Sequence, residues 1–286
     1  MGSTDQASNH YVTSPQRPKL GLALGGGAAR GIAHIGILQV LWENGIGIDA
    51  IAGTSAGAMV GALVAAGINP SKVAEIARAS NYWFLAKDIS LRKAGILQST
   101  GIEKWMRRHI KDKSFAELEI PLAVVTTNIL DGGTVVFTEG DVAWAARVSA
   151  TVPGIYAPVE YGDDLLVDGG LTQNVPVEAL LSMGVDITLA VSLNESFWHR
   201  GMPEHPVETI QQAITILQRA HIGRQLSKAD LVVAPDLQEL SLTDFKEVDE
   251  FLRLGRVAME AALPRLNAIL DMWAERKDTY GQIVGS

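Results

Sequence analysis

The chain has no cysteine among its 286 residues. That excludes disulfides, thiol nucleophiles and thiolate metal sites, and it suits a reducing compartment. An excess of basic charge is also missing: 24 Lys and Arg stand against 32 Asp and Glu, a formal net charge of −8. Without a basic footprint, nucleic acid is not an expected partner. The longest apolar run, the Gly/Ala-rich stretch after Ser55, is too short and too small in side-chain volume to span a bilayer. Met1–Lys19 is polar and has no apolar h-region of a secretory signal. Gly2 invites a myristoylation reading, but Gln6 stands where Ser or Thr is needed. These absences set the expectation of a soluble, cytoplasmic protein. What is abundant is apolar: 47% of the residues are hydrophobic, ample for one large core. The expected layout is a flexible polar tail over 1–18, a single domain over 19–275 and a polar C-terminal tail over 276–286.

Two strand–glycine–helix units open the domain. Lys19–Leu24 (KLGLAL) is a buried-strand candidate, followed at once by Gly25-Gly26-Gly27-Ala28-Ala29-Arg30-Gly31. Ile32–Trp42 then has helical apolar spacing at Ile32, Ile35, Leu38 and Leu41. In the second unit Ile48–Ala52 reads as a strand, Gly53-Thr54-Ser55-Ala56-Gly57 as a G-x-S-x-G turn, and Met59–Ala66 as a helix. Strand, tight turn and helix in that order are the context a nucleophile elbow requires. The pentapeptide alone arises by chance in roughly one chain of this size in ten, so the context carries the reading. Repeated βα units predict a mainly parallel sheet covered by helices.

Downstream, Asn69-Pro70-Ser71 starts a helix and Gly101–Ile110 forms another. Between them, Tyr82–Leu97 mixes aromatics, leucines and basic residues, as a packed surface segment or a membrane-facing lid would. Leu122–Thr127 and Thr134–Thr138 read as strands joined across Asp131-Gly132-Gly133, and Asp141 caps a helix through Val148. Leu165–Val167 leads into Asp168-Gly169-Gly170; Pro176–Met183 is a helix and Asp186–Leu193 an apolar strand. Glu204–Leu226 reads as an amphipathic helix with the stripe Ile210, Ile214, Leu217, His221 facing the core. Asp230–Ala234 is the last strand. Phe245 to about Trp273 is helical with a break at Pro264.

Several groups here have chemistry to offer. Amides in the glycine loop at a helix start are placed to receive an anion, whether a phosphate or a tetrahedral oxyanion. A dinucleotide loop needs G-x-G-x-x-G and a P-loop needs Gly-Lys-Ser/Thr; neither pattern is met. Asp168 follows an apolar run, where α/β folds place ligands; alone it reads rather as a turn cap, and the pairing with Ser55 is what draws attention to it. Among the six histidines, His34 is expected to pack or hydrogen-bond near the glycine loop, His109 to end a basic helix, and His221 to pack in the core. His10 lies in the tail. His199 and His205 follow Ser55 and Asp168 in the chain order of an α/β-hydrolase triad, without a local signature.

Taken together, GGGAARGIAHIGIL (Gly25–Leu38), GTSAG (Gly53–Gly57), FTEGD (Phe137–Asp141), TVPGIYAPV (Thr151–Val159) and DGGLTQNVPV (Asp168–Val177) resemble the patatin-like phospholipases, in particular bacterial members related to neuropathy target esterase. A weaker match runs through DLVVAPDL (Asp230–Leu237), so the resemblance spans about Leu20 to Leu263. One position departs: aligned on Gly31, Ala28 stands for the middle glycine of the family's loop. A positive φ there costs about 1 kcal/mol or more.

The resemblance implies a three-layer α/β/α fold and a serine hydrolase of fatty-acyl esters such as phospholipids or lysophospholipids. It implies Ser55 as acyl nucleophile, Asp168 as its base, and an oxyanion hole from the Gly25, Gly26, Gly27 and Ala28 loop. Arg30, Gly31, Gly53, Gly57, Gly169 and Gly170 would support those motifs. No metal and no cofactor is implied, and membrane contact would be peripheral and transient. An unperturbed Asp is a weaker base than His by about 2.6 units, ~3.5 kcal/mol, so burial of Asp168 would have to raise its pKa. Two rivals stay open: an α/β-hydrolase triad completed by His199 or His205, and a non-catalytic module whose glycine loop holds an anion or phospholipid head group.

Overall fold

A computed structural model describes residues 17–80, 97–193 and 206–284 of the chain. The sheet's centre is parallel. Strand β1 (Leu20–Leu24) pairs in parallel with β2 (Ala50–Thr54) and with β7 (Ile187–Val191). Strand β3 (Leu122–Asn128) extends it in parallel beyond β2, and β8 (Leu231–Val233) does so beyond β7. Three antiparallel strands finish the β3 end: β4 (Thr134–Phe137) and β6 (Asp164–Asp168) pair with β3, and β5 (Val159–Tyr161) pairs with β6.

Side chains alternate across the sheet with an asymmetry of size. Leu20, Leu22, Leu24, Ile51, Leu122, Val124, Ile187, Leu189 and Val191 join one buried cluster, while Ala23, Ala50, Ala52, Ala123 and Ala190 join the other. The bulky face is covered by α1 (Ala33–Glu43), α2 (Ala56–Ala65), α5 (Val142–Ser149) and α8 (Val248–Val284). The alanine face is covered by α6 (Val177–Leu181) and α7 (Pro206–Leu226). Helices α3 (Pro70–Ala79) and α4 (Thr100–Ile110) complete the bulky side. The result is the expected α/β/α sandwich around a mixed, mostly parallel sheet.

Local chemistry explains the ends of several elements. Asn69 Oδ1 accepts the Ser71 amide at 2.8 Å, with Pro70 in the first turn of α3, and Asp141 Oδ1 accepts the Trp144 amide at 2.8 Å to start α5. Three expectations fail. Pro264 does not end the last helix: α8 runs unbroken through it and on into the segment read as a C-terminal tail. The missing amide costs that helix about 3 kcal/mol, which its packing offsets. Helices α1 and α8 cross so closely that a Cβ on Gly36 would meet the Leu252 backbone. Arg17, placed in the N-terminal tail, is fastened to Asp49 by two hydrogen bonds of 2.7 and 2.9 Å.

Helix α7 is the third. Leu217 is 64% exposed and His221 is exposed, whereas Thr215, Ile222, Gln225 and Leu226 are buried. Ile222 and Leu226 pack into the alanine-side cluster, and hydrogen bonds from Gln225 fix the same rotation. Gln225 Oε1 accepts the Val175 amide at 3.0 Å and its Nε2 donates to the Thr172 carbonyl at 3.1 Å, satisfying backbone groups that would otherwise be buried unpaired. Among the described residues, no helix is long and apolar enough to cross a membrane.

Candidate active site

Ser55 is the first residue after β2, and its backbone is held at φ 54 and ψ −121. A non-glycine residue there stores strain of about 1–3 kcal/mol. Two devices hold it. The Ser55 amide donates to Ser149 Oγ at 2.8 Å, and Ser149 Oγ in turn donates to the Val125 carbonyl at 2.6 Å, so the end of α5 anchors the turn to β3. Below the turn α2 lies against β1, and a Cβ on Gly57 would collide with the Leu24 carbonyl. Ser55 occupies the N-cap position of α2, but its hydroxyl makes no capping bond.

That hydroxyl lies near the Asp168 carboxyl, close enough to favour its ionised form. Sheet register explains how residues so far apart in sequence meet. Val124 and Val125 pair with both β2 and β4, while Thr126 and Thr127 pair with both β4 and β6. Strands β2 and β6 therefore lie end to end along one edge of β3. Thr54 pairs with Val125 and Asp168 with Thr126, so the two chain ends face each other one register step apart. Asp168 Oδ1 also accepts the Gly170 amide at 2.7 Å. Burial pushes the carboxyl up to about 6, against the lowering effect of the nearby Ser55 hydroxyl and the Gly170 amide.

The glycine loop departs from the expected four-donor hole. The Gly25 amide donates to the Val191 carbonyl at 3.1 Å and the Gly26 amide to the Asn174 carbonyl at 3.0 Å, so both are already engaged. Gly27 and Ala28 line the cavity beside Ser55 and donate to no described backbone carbonyl. Ala28 has φ 48, the positive value the sequence made costly. Arg30 is fully buried and points away from the reacting groups: its Nε and Nη2 donate to the Leu240 carbonyl at 3.0 and 2.6 Å, and its Nη1 to the Leu193 carbonyl at 3.3 Å. Burial lowers its pKa to about 10. His34 Nε2 donates to the Gly25 carbonyl at 2.8 Å, and burial pushes its pKa down to about 4, so it props the loop as a neutral ring.

Ser55 and Asp168 border a cavity of about 410 Å³. Its wall is apolar, with Ile35, Met59, Leu63, Val73, Ile102 and Trp105 drawn from α1 to α4. His199, His205 and the part of the candidate lid from Tyr82 to Ile96 lie outside the described residues.

The family model of the patatin-like phospholipases matches residues 22–181. The chain belongs to that family. An uncharacterised NTE family protein of Mycobacterium bovis is 38% identical over 187 residues, 65% of this chain and 52% of that protein. The lysophospholipase NTE1 of Mycosarcoma maydis is 34% identical over 182 residues, 61% of this chain and 10% of that protein. The chain thus spans about half the length of the mycobacterial relative. Among solved structures, human GIVD cytosolic phospholipase A2 superposes with a TM-score of 0.54 at 12% identity, covering 92% of this chain and 60% of that one. The type III effector ExoU does so with a TM-score of 0.50 at 18% identity, covering 87% and 53%. These likenesses show the shared fold.

Within this patatin-like frame, sequence reading missed Ser149, Asn174 and Gln225. Ser149 stands two residues before the TVPG run and Asn174 lies inside DGGLTQNVPV, so motif position marked both segments. Gln225 carries no local mark, because its partners lie 50 and 53 residues away.

Proposed function

We propose that this chain is a lipid acyl hydrolase that cleaves fatty-acyl esters through Ser55 and Asp168. The observation carrying the reading is that sheet register brings Ser55 and the buried Asp168 together at the border of an apolar cavity. Ser55 Oγ attacks the acyl carbonyl carbon and its proton passes to the Asp168 carboxylate. The carbonyl π electrons move onto oxygen, which the Gly27 and Ala28 amides and the N-terminus of α2 stabilise. Collapse breaks the bond to the alcohol oxygen, which leaves with the proton from Asp168. Water then attacks the acyl-enzyme, again giving a proton to Asp168, and the fatty acid departs as Ser55 Oγ regains its hydrogen.

A carboxyl near 6 is a better base than an ordinary Asp and is still ionised at neutral pH. Family membership supports an ester of a phospholipid or lysophospholipid as substrate. Such substrates arrive from membranes or micelles, and Leu171, 38% exposed on the cavity wall, supports transient peripheral contact there.

The test is hydrolysis of short-chain and long-chain p-nitrophenyl esters and of lysophosphatidylcholine, with EDTA present, by the wild type and by Ser55→Ala. The expected result is turnover by the wild type alone, faster on the longer acyl chain, with kcat/KM rising through about pH 6 and level above it. A wild type inert on all three substrates overturns the hydrolase reading and brings the binding module forward.

A further inference from the structure

The Asn174 side chain is a polar group at the cavity that the steps above leave unused. Its backbone is held from every side. The carbonyl accepts the Gly26 amide at 3.0 Å, the preceding carbonyl of Gln173 accepts Thr54 Oγ1 at 2.8 Å, and the following amide of Val175 donates to Gln225 at 3.0 Å. The residue is 3% exposed, yet Nδ2 has no hydrogen-bond partner. A buried donor left without a partner is costly to the fold. A loop fixed this firmly around an unpaired donor has the form of a site that waits for an acceptor.

Its neighbours identify the acceptor. A Cβ built on Gly26 would stand 2.8 Å from Asn174 Oδ1 and 3.3 Å from Ser55 Cβ. A Cβ built on Gly170 would stand 3.0 Å from Asp168 Oδ1 and 3.1 Å from Asn174 Oδ1. The carboxamide therefore lies near the nucleophile, the base and the glycine loop, with Oδ1 the atom on that side, and a half turn about Cβ–Cγ exchanges Oδ1 and Nδ2. An oxygen that gains negative charge in that space is the acyl oxygen of the tetrahedral intermediate. With Gly25 and Gly26 engaged elsewhere, the loop supplies fewer donors than its sequence suggests.

We propose that Asn174 is a catalytic residue whose Nδ2–H donates to the acyl oxygen as charge develops on it, a side-chain donor beside the Gly27 and Ala28 amides. The inference rests on the hydrolase reading above. Asn174 makes and breaks no covalent bond and keeps its protons throughout; it acts on the oxyanions of acylation and deacylation alike. Loss of one such donor lowers kcat by about 10²–10³ in serine hydrolases.

The experiment compares wild type, Asn174→Ala and Asn174→Asp in pre-steady-state and steady-state hydrolysis of a long-chain p-nitrophenyl ester, with melting temperatures alongside. An alkyl fluorophosphonate, whose attack by Ser55 builds the same kind of anionic oxygen, supplies a second rate. For Asn174→Ala, kcat is expected to fall about 10²-fold with KM within about threefold. Acylation, deacylation and phosphonylation slow together, and Tm does not fall because an unpaired donor has been removed. Asn174→Asp, of the same size but without the N–H, is expected to do no better. Wild-type kcat in Asn174→Ala, rescue by Asp, a loss confined to deacylation behind a normal burst, or a loss that tracks a lowered Tm each overturns the assignment. If the wild type itself neither hydrolyses the ester nor reacts with the fluorophosphonate, it is the hydrolase reading that falls.

Discussion

The two faces of the sheet are built on different principles. On the bulky face, alternate Leu, Ile and Val of four parallel strands meet α1, α2, α5 and α8 in one large apolar cluster. On the other face the same strands present mainly alanine, and a thin layer of α6, α7 and the loop before them lies close. Large side chains hold their cover by area removed from water. The alanine face has less area to bury, so polar bonds such as those of Gln225 decide how its cover sits. The candidate site lies where these regimes meet: Ser55 opens a helix of the bulky side, whereas Asp168 and Asn174 precede a helix of the alanine side.

The largest effect is expected where the two sides touch. Asp168→Asn should lower kcat about 10⁴-fold while raising stability. The carboxyl lifted to about 6 is more protonated in the native state than in the unfolded chain between pH 3.8 and 6, so its contribution to stability is lost as pH rises through that window. The Asn variant is therefore expected to melt above wild type at pH 8 and to converge with it near pH 3.8. His34 works in the opposite sense. Pushed down to about 4, it favours the native state above pH 6.5 and loses that contribution as pH falls toward 4. Without the Asp168 carboxyl to offset it, the variant's Tm should fall more steeply than wild type below pH 6.5. Parallel Tm curves from pH 4 to 8 would contradict this account of the buried carboxyl.

Next comes the contrast between the faces themselves. Leu22→Ala, at a fully buried position of the bulky face, should cost 2–5 kcal/mol. On the alanine face the damage runs the other way, and Ala190→Leu should cost about 1–3 kcal/mol through overpacking. Urea denaturation measures both. A tolerated leucine at 190 would show that the alanine face is not closely packed.

An effect comparable to that of Ala190→Leu is expected from Gln225→Ala, which strips partners from Val175 and Thr172 and should cost about 1–3 kcal/mol. It should also slow turnover, because the freed loop carries Asn174; a stability loss with unchanged kcat would separate the clamp from the chemistry. Smallest is Leu217→Ser, expected to change stability by less than about 0.5 kcal/mol because that side chain is 64% exposed. A large loss in urea denaturation would restore the apolar stripe first read on α7.

Sequence alone determined the βα units and the turn around Ser55, because each depends on local residue order: an apolar run, a turn that only small residues permit, and a helix start; Asp168 entered as its partner only through the family resemblance, and sheet register is what brings the two near. Sequence did not determine which loop amides are available. That depends on Val191 and Asn174, more than 140 residues from Gly25 and Gly26, whose carbonyls engage two of the four expected donors. Nor did it determine the rotation of α7, since helical periodicity offers more than one stripe and the tertiary contacts of Ile222, Gln225 and Leu226 choose between them. Pro264 makes the same point, because its penalty is local while the packing of α8 on α1 is not. Ser149 and Asn174 sat in view within recognisable motifs, but their roles follow from distances to groups that only the folded sheet brings near. What the chain encodes locally is the turn that carries the candidate nucleophile; what the tertiary structure decides is which carboxyl and which donors stand near it.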